Sequence, residues 1–326
     1  MITAAKWIPD DRVDSQIEWF YGELGIDDAY FQIESVDVIS NHITTLYAAK
    51  VAAVVRDDKR EEIRLHLETD DRAIYIDNNE PGVSNSESPR YEQRLAAKYL
   101  DGSTTNKHFR VETFRSPSNL NRTSASKATI HCQFVYQCQF VKPNPSPQET
   151  SLQIIGDKTF LAKATENTLQ IYQEILDLAV NRTGPVIQAF DVEGSQEKRL
   201  VVAYRQRTAP GIFSALSNLY RYYGVISSRK YVEQFSNGIT IMSMYLTPDL
   251  GQSVNTKFLP IKQSICQISN EISLLYCIPQ TAFQSLFAGG RLSLQETTYG
   301  HCVWVFAQHF LNRLGTSPKP NSIDHY

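Results

Sequence analysis

Between residues 199 and 248 the apolar positions change period three times. Leu200, Val202 and Tyr204 alternate with Val201, Ala203 and Arg205, the period-two pattern of a strand. Pro210 and Gly211 break it, and Ile212, Phe213, Leu216, Leu219, Tyr220 and Tyr223 then recur at helical spacing. Gly224 stands where a helix C-cap belongs. Two further strands follow, joined through Asn237-Gly238, residues that tolerate the positive φ of a tight hairpin. The predicted unit is β-α-β-β, with Pro-Gly at the strand-to-helix joint.

The N-terminal part repeats this order in different wording. Residues 14–25 read as an amphipathic helix with a capping box at Ser15 and Glu18 and a stripe of Ile17, Phe20, Tyr21 and Leu24. Residues 30–34 read as a short strand, and Ile39, Ile43, Leu46, Tyr47, Val51 and Val54 mark a long helix. Ile63, Leu65 and Leu67, then Ile74 and Ile76, alternate as two strands across a turn at Thr69, Asp70 and Asp71. A helix over residues 90–100 and a strand through Phe109, Val111 and Thr113 complete β-α-β-β-α-β. The expected fold is α+β: two ferredoxin-like sandwich modules at 29–116 and 196–248, with a lead-in at 1–28 and a linker at 117–127. Residues 128–195 form an intervening segment. Its strand carries Cys132, Phe134, Tyr136, Cys138 and Phe140 on one face, residues 152–155 pair back, and a helix at 159–181 precedes a strand at 186–192. Residues 249–315 are helical, with a capping box at Ser293 and Glu296, and 316–326 form a disordered tail.

Composition narrows the class. A chain of 326 residues suggests about two domains. Its 42% hydrophobic and 21% charged content supports a packed core, and a formal charge of −3 gives no footprint for nucleic acid or an anionic membrane. No apolar run reaches the roughly 18 residues of a membrane span. Five cysteines without a signal peptide read as reduced thiols, so an intracellular protein, cytoplasmic or mitochondrial, is expected.

Candidate chemistry is sparse. There is no G-x-G-x-x-G between a strand and a helix and no G-x-x-x-x-G-K-[ST] loop, hence no backbone cradle for a dinucleotide or triphosphate. Cys132 and Cys138 share a strand face but lie about 20 Å apart in an extended chain, too far to share a metal ion. His301 and His309 lack the H-E-x-x-H arrangement of a zinc site, and Cys302 would need a base from elsewhere to act as a nucleophile. No catalytic and no metal-binding residue is assigned.

The β-α-β-β order with Pro-Gly at the joint resembles an ACT-type regulatory module. The wording goes further. FSALSNLYRYYGVISSRKYVEQFSNGITIMSMYL, EWFYGELGIDDAYFQIESVDVISNHITTLYAAKVAA, AIYIDNNEPGVS, RYEQRLAAKYLDG, RTGPVIQAFDVEG, NEISLLYCIPQ and GHCVWVFAQHFLNRLG resemble the N-terminal, non-catalytic region of the large fungal NAD-specific glutamate dehydrogenases. Together these runs cover most of residues 14–315.

The resemblance implies a parent enzyme that oxidatively deaminates L-glutamate to 2-oxoglutarate and ammonia with NAD. Its cofactor-binding and catalytic domains would lie outside this chain, which itself would hold no cofactor. The tail leaves the family wording after Gly315, so a fragment, a truncated reading frame or a separately encoded piece is expected. The implied partners are the remainder of the dehydrogenase or a second copy of the chain, and a small amino-acid effector. By ACT analogy the effector would sit at Pro210, Gly211 and Ile212, where glycine lets a ligand approach the backbone and a helix N-terminus offers N–H groups. The chain departs from the usual ACT wording in carrying Thr208-Ala209 before Pro-Gly. The alternative is a free-standing ACT-like amino-acid sensor that regulates a partner protein.

Overall fold

The computed structural model describes residues 8–22, 24, 26, 28–55, 64–69, 71–79, 92, 94–101, 107–115, 129–182, 184–249, 259–275 and 292–314. Eight strands form one sheet: β1 (Arg64–Glu68), β2 (Arg72–Asn79), β3 (Phe109–Arg115), β4 (Thr129–Gln137), β5 (Val186–Asp191), β6 (Lys198–Arg205), β7 (Val225–Gln234) and β8 (Ile239–Pro248). Their order is β1-β2-β4-β3-β7-β8-β6-β5, and every neighbouring pair is antiparallel.

That order is a palindrome. A hairpin (β1-β2) leads through a helical crossover to β3, and β4 returns to lie between β2 and β3. A second hairpin (β5-β6) leads through α8 (Ile212–Tyr222) to β7, and β8 returns between β6 and β7. Two β-β-α-β-β units thus meet edge to edge at β3 and β7, paired from Val111↔Val232 to Phe114↔Arg229.

Helices cover both faces. On one, the π-helical turn α4 (Ala96–Leu100), α8, α9 (Ile261–Leu275) and the start of α10 (Leu294–Leu314) pack on Val111, Val135, Leu200, Val202, Met242 and Met244. On the other, α1 (Asp10–Gly22), α2 (Asp28–Ile33) and α3 (Val36–Val55) cover the first unit through Ile74, Ile76, Phe114, Cys132 and Phe134. There α5 (Leu152–Ile155), α6 (Lys158–Lys163) and α7 (Glu166–Ala179) cover the second unit through Val201, Ala203, Ile239 and Ile241. No helix among the described residues is long and apolar enough to cross a membrane.

Local chemistry sets the boundaries. The capping box of α10 forms as expected: the Glu296 carboxylate accepts from the Ser293 N–H at 2.8 Å, and the Ser293 hydroxyl accepts from the Glu296 N–H at 3.2 Å. Gly211, at φ 75°, starts α8, and Gly224, at φ 68°, follows it. The helix expected at 159–181 is two helices, because the backbone turns out of helix at Ala164 and Thr165 caps α7 by accepting from the Thr168 N–H.

Other expectations are corrected. Residues 30–34 are not a strand; residues 28–33 form α2, whose Tyr30 packs with Phe20 and Phe134 in the core. The first unit therefore opens on the β1-β2 hairpin and is completed by β4. Residues 152–155 are a helical turn, not a strand. Ser15 lies inside α1 and donates to the Arg12 carbonyl, so α1 begins earlier, at Asp10. The β7-β8 loop spans residues 235–238, with positive φ only at Gly238. Residues 117–127 and 316–326 lie outside the described residues.

The seam between units carries charge on both faces. On the α8 face Lys230 of β7 pairs with Glu92, each side chain 4% exposed, and donates to the Ser217 hydroxyl at 3.0 Å. Burial alone would lower the Lys230 pKa, but the adjacent carboxylate raises it above its ordinary value. Removing one partner of such a pair leaves an uncompensated buried charge, a loss of roughly 3–5 kcal/mol. Lys230→Met is therefore expected to lower the urea-unfolding free energy by about 3–5 kcal/mol, and Lys230→Met with Glu92→Leu to recover most of it. Equal losses in the single and double variants would show that the charges are not coupled.

Candidate functional site

On the opposite face, where the α1–α3 and α5–α7 layers part above β3 and β7, lies a cavity of about 140 Å³. Its lining includes Arg110, Glu112 and Phe114 of β3, Tyr231 and Glu233 of β7, Tyr245 of β8 and Arg199 of β6. Tyr30 of α2, Phe160 and Lys163 of α6, Thr165, and Thr168 and Tyr172 of α7 also line it. Strand alternation places these groups: Arg110 and Glu112 flank Val111, and Tyr231 and Glu233 flank Val232, while both valines face the other side. The Val111↔Val232 pairing aligns Arg110 with Glu233 across the seam.

Two of the cations have carboxylate partners. Arg110 donates to Glu112 at 2.9 Å, with Asp157 3.8 Å away, and lies 4.3 Å over the Tyr136 ring. Lys163 pairs with Glu34 at 2.7 Å, tying α6 to α2. Arg199 differs. Only 6% exposed, it donates to the hydroxyls of Ser243 (2.8 Å) and Thr168 (3.2 Å) and lies over the rings of Tyr172 and Tyr245. It has no carboxylate within ion-pair distance among the described residues.

Glu233 is 4% exposed, and its carboxyl forms no hydrogen bond or ion pair among the described residues. Burial pushes its pKa up to about 8; Arg110 opposes the shift, while Glu112 and Asp157 add to it. Beside the cavity the Tyr30 hydroxyl meets His42 Nδ1 at 2.5 Å. Burial lowers the His42 pKa to about 4, so that ring is neutral near pH 7.

The residues expected to bind an effector lie on the other face of the sheet. Pro210 is exposed, and Gly211 and Ile212 are buried. The Gly211 N–H donates at 2.8 Å to the Asp101 carboxylate, which follows α4 of the first unit. A carboxylate from within the chain thus meets the α8 N-terminus and links the units. The cavity residues were not read from the sequence, where the strand at 109–113 was represented by its apolar face alone. The available signal was the charge inside strands of high β propensity, R-V-E at 110–112 and Y-V-E at 231–233. Charges on both faces of a strand mark a buried seam once helices cover both sides.

Glu233 makes stability depend on pH with a defined sign. The folded state keeps this proton to about pH 8, whereas the unfolded chain releases it near 4.5. Its contribution is therefore present below about 4.5 and is lost as pH rises toward 8. Glu233→Gln removes this loss, so the variant should match the wild type near pH 4.5 and exceed it increasingly up to pH 8.5. Urea midpoints across that range check this; a gap independent of pH would contradict the neutral, buried carboxyl.

The comparisons with known proteins agree along the whole chain. The family model for the N-terminal domain of NAD-dependent glutamate dehydrogenase matches residues 1–52, and that for the second domain of NAD-specific glutamate dehydrogenase matches residues 63–289. The NAD-specific glutamate dehydrogenase of Neurospora crassa is 64% identical over 99% of this chain and 31% of its own length. A probable NAD-specific glutamate dehydrogenase of Schizosaccharomyces pombe is 44% identical over 96% of the chain and 29% of its own length. In Saccharomyces cerevisiae the NAD-specific glutamate dehydrogenase is 30% identical, with 95% and 32% covered. No solved structure matches. The chain spans about a third of the length of these relatives. It belongs to the NAD-specific glutamate dehydrogenase family, of which it carries the N-terminal and second domains.

Proposed function

We propose that this chain is the regulatory and assembly region of an NAD-specific glutamate dehydrogenase, and that NAD binding and oxidative deamination of L-glutamate belong to the rest of that polypeptide. The observation that carries this reading is the match of the N-terminal and second domains to a chain without a dinucleotide-binding fingerprint. The ACT-like reading of the two units draws support from their topology. Each places a helical crossover between its second and third strands and returns its fourth strand between them. The order of these three strands and their crossover is in keeping with a ferredoxin-like sandwich, while the outer strand comes from the N-terminal side (β1, β5) rather than the C-terminal side. Helices on both faces set it apart from a simple two-layer module.

The assembly surface in this reading is α10. Tyr299, Val303, Phe306 and Phe310 recur at spacings of four, three and four, and are 68%, 67%, 73% and 56% exposed. Such a stripe is the face an amphipathic helix buries, with each large side chain worth about 1.5–3 kcal/mol on full burial. The side chain of Trp304 on the same helix lies outside the described residues. The proposed occupant is the remainder of the dehydrogenase; a second copy of the chain is the competing outcome.

Two measurements test the reading. The isolated chain should give no glutamate-dependent NADH formation, and turnover by it would refute the division of labour. Co-expressed with the C-terminal two thirds of the Neurospora crassa relative, the chain should co-purify, and Phe306→Glu with Phe310→Glu should lose at least tenfold in recovery. Unchanged recovery would remove α10 from the interface. A wild-type chain that is dimeric by light scattering, and monomeric with both substitutions, would assign the stripe to a second copy instead.

A further inference from the structure

The cavity above β3 and β7 holds two buried groups of opposite chemistry, neither with a counter-charge within ion-pair distance among the described residues. Arg199 brings a positive charge held by two hydroxyls and two tyrosine rings. Glu233 brings a carboxyl with no hydrogen-bond partner among the described residues. Buried polar groups in native proteins are nearly always satisfied, and a buried guanidinium ordinarily has a carboxylate. Both line one cavity, so a single small molecule can complete both.

We propose that this cavity is a binding site for a free α-amino acid, its carboxylate on Arg199 and its ammonium group on Glu233.

Three features support the orientation. Arg199 presents a planar fork suited to a carboxylate. Thr165 and Thr168, the first turn of α7, line the cavity, and the positive end of that helix favours an anion there. Tyr30, Tyr172, Tyr231 and Tyr245, with Phe114 and Phe160, add an aromatic wall with polar edges that suits a small side chain. The charges facing Glu233 are Arg110 and Glu112 from β3 and Asp157 and Lys163 from the α6 side, and the carboxyl is protonated at neutral pH. An ammonium group docked against it would stabilise the carboxylate, so binding releases a proton. The cavity floor comes from both units, and its walls come from α2 on one side and α6–α7 on the other. An occupant therefore ties the two halves of the sheet together. The assignment uses the cavity alone and stands whether or not the chain regulates a dehydrogenase.

Calorimetric titration of the chain with L-alanine, L-aspartate and L-glutamate tests this, with succinate and n-propylamine as probes carrying one kind of charge each. At least one amino acid should bind saturably at pH 7, and at least tenfold more tightly than either control. Its enthalpy should vary with buffer ionisation as expected for proton release. Arg199→Met and Glu233→Gln should each weaken binding at least tenfold. In case Arg199→Met does not fold, hydrogen exchange of the wild type should show ligand-dependent protection in α7 and β7. The proposal is overturned if no amino acid binds, if succinate binds as tightly, if binding persists in Glu233→Gln, or if protection appears only outside these elements.

Discussion

The pairing of β3 with β7 is the constraint on which the rest of the structure depends. Four register pairs join two β-β-α-β-β units into one eight-stranded sheet, and the join decides what the flanking strands carry. An edge strand leaves its backbone groups open to other chains. Here the corresponding edge of each unit is consumed by the other. Both faces of the seam are then covered by helices, so Arg110 and Glu112 of β3 and Lys230 and Glu233 of β7 are buried although they point to opposite faces. Lys230 meets Glu92 on one face; Arg110, Glu112 and Glu233 gather on the other. The seam thus carries charge into the protein interior, the setting in which partners must be specific.

Much of the fold was legible where period and punctuation agreed. The second unit was readable almost element by element, since Pro210-Gly211 and Gly224 bracket an amphipathic helix and alternation marks its strands. The α10 capping box was readable because two side chains at a fixed spacing produce it. Misses arose where a short segment's period is ambiguous. Residues 30–34 and 152–155 are runs too short to separate strand from helix, and packing decided both for helix. The order of the first unit was missed for the same reason, since a false opening strand displaced β4 from its place between β2 and β3.

The cavity was not legible at all, because it arises from register rather than from any local motif. Arg199 and Glu233 are separated by 34 positions, and they line one space only because β8 lies between their strands and α7 lies above. The anticipated joint at Gly211 shows the reverse. Its local geometry was readable, but the Asp101 carboxylate that meets its N–H comes from the other unit. The chain spans about a third of the length of its Neurospora crassa relative, and within that span the seam joins its two like units. A sheet shared by two like units is stiff along its strands and joined by one seam, so a ligand or partner acting there acts on both halves.

Native-state hydrogen exchange of the β3 and β7 amides tests the shared seam most directly. If the two units form one body, amides at the paired positions from Val111 to Phe114 and from Arg229 to Val232 exchange only through the same global opening as the inner strands β4 and β8. Exchange of those amides at the low free energy of fraying edge strands, with β4 and β8 still protected, would mean two units merely resting side by side and would contradict the account.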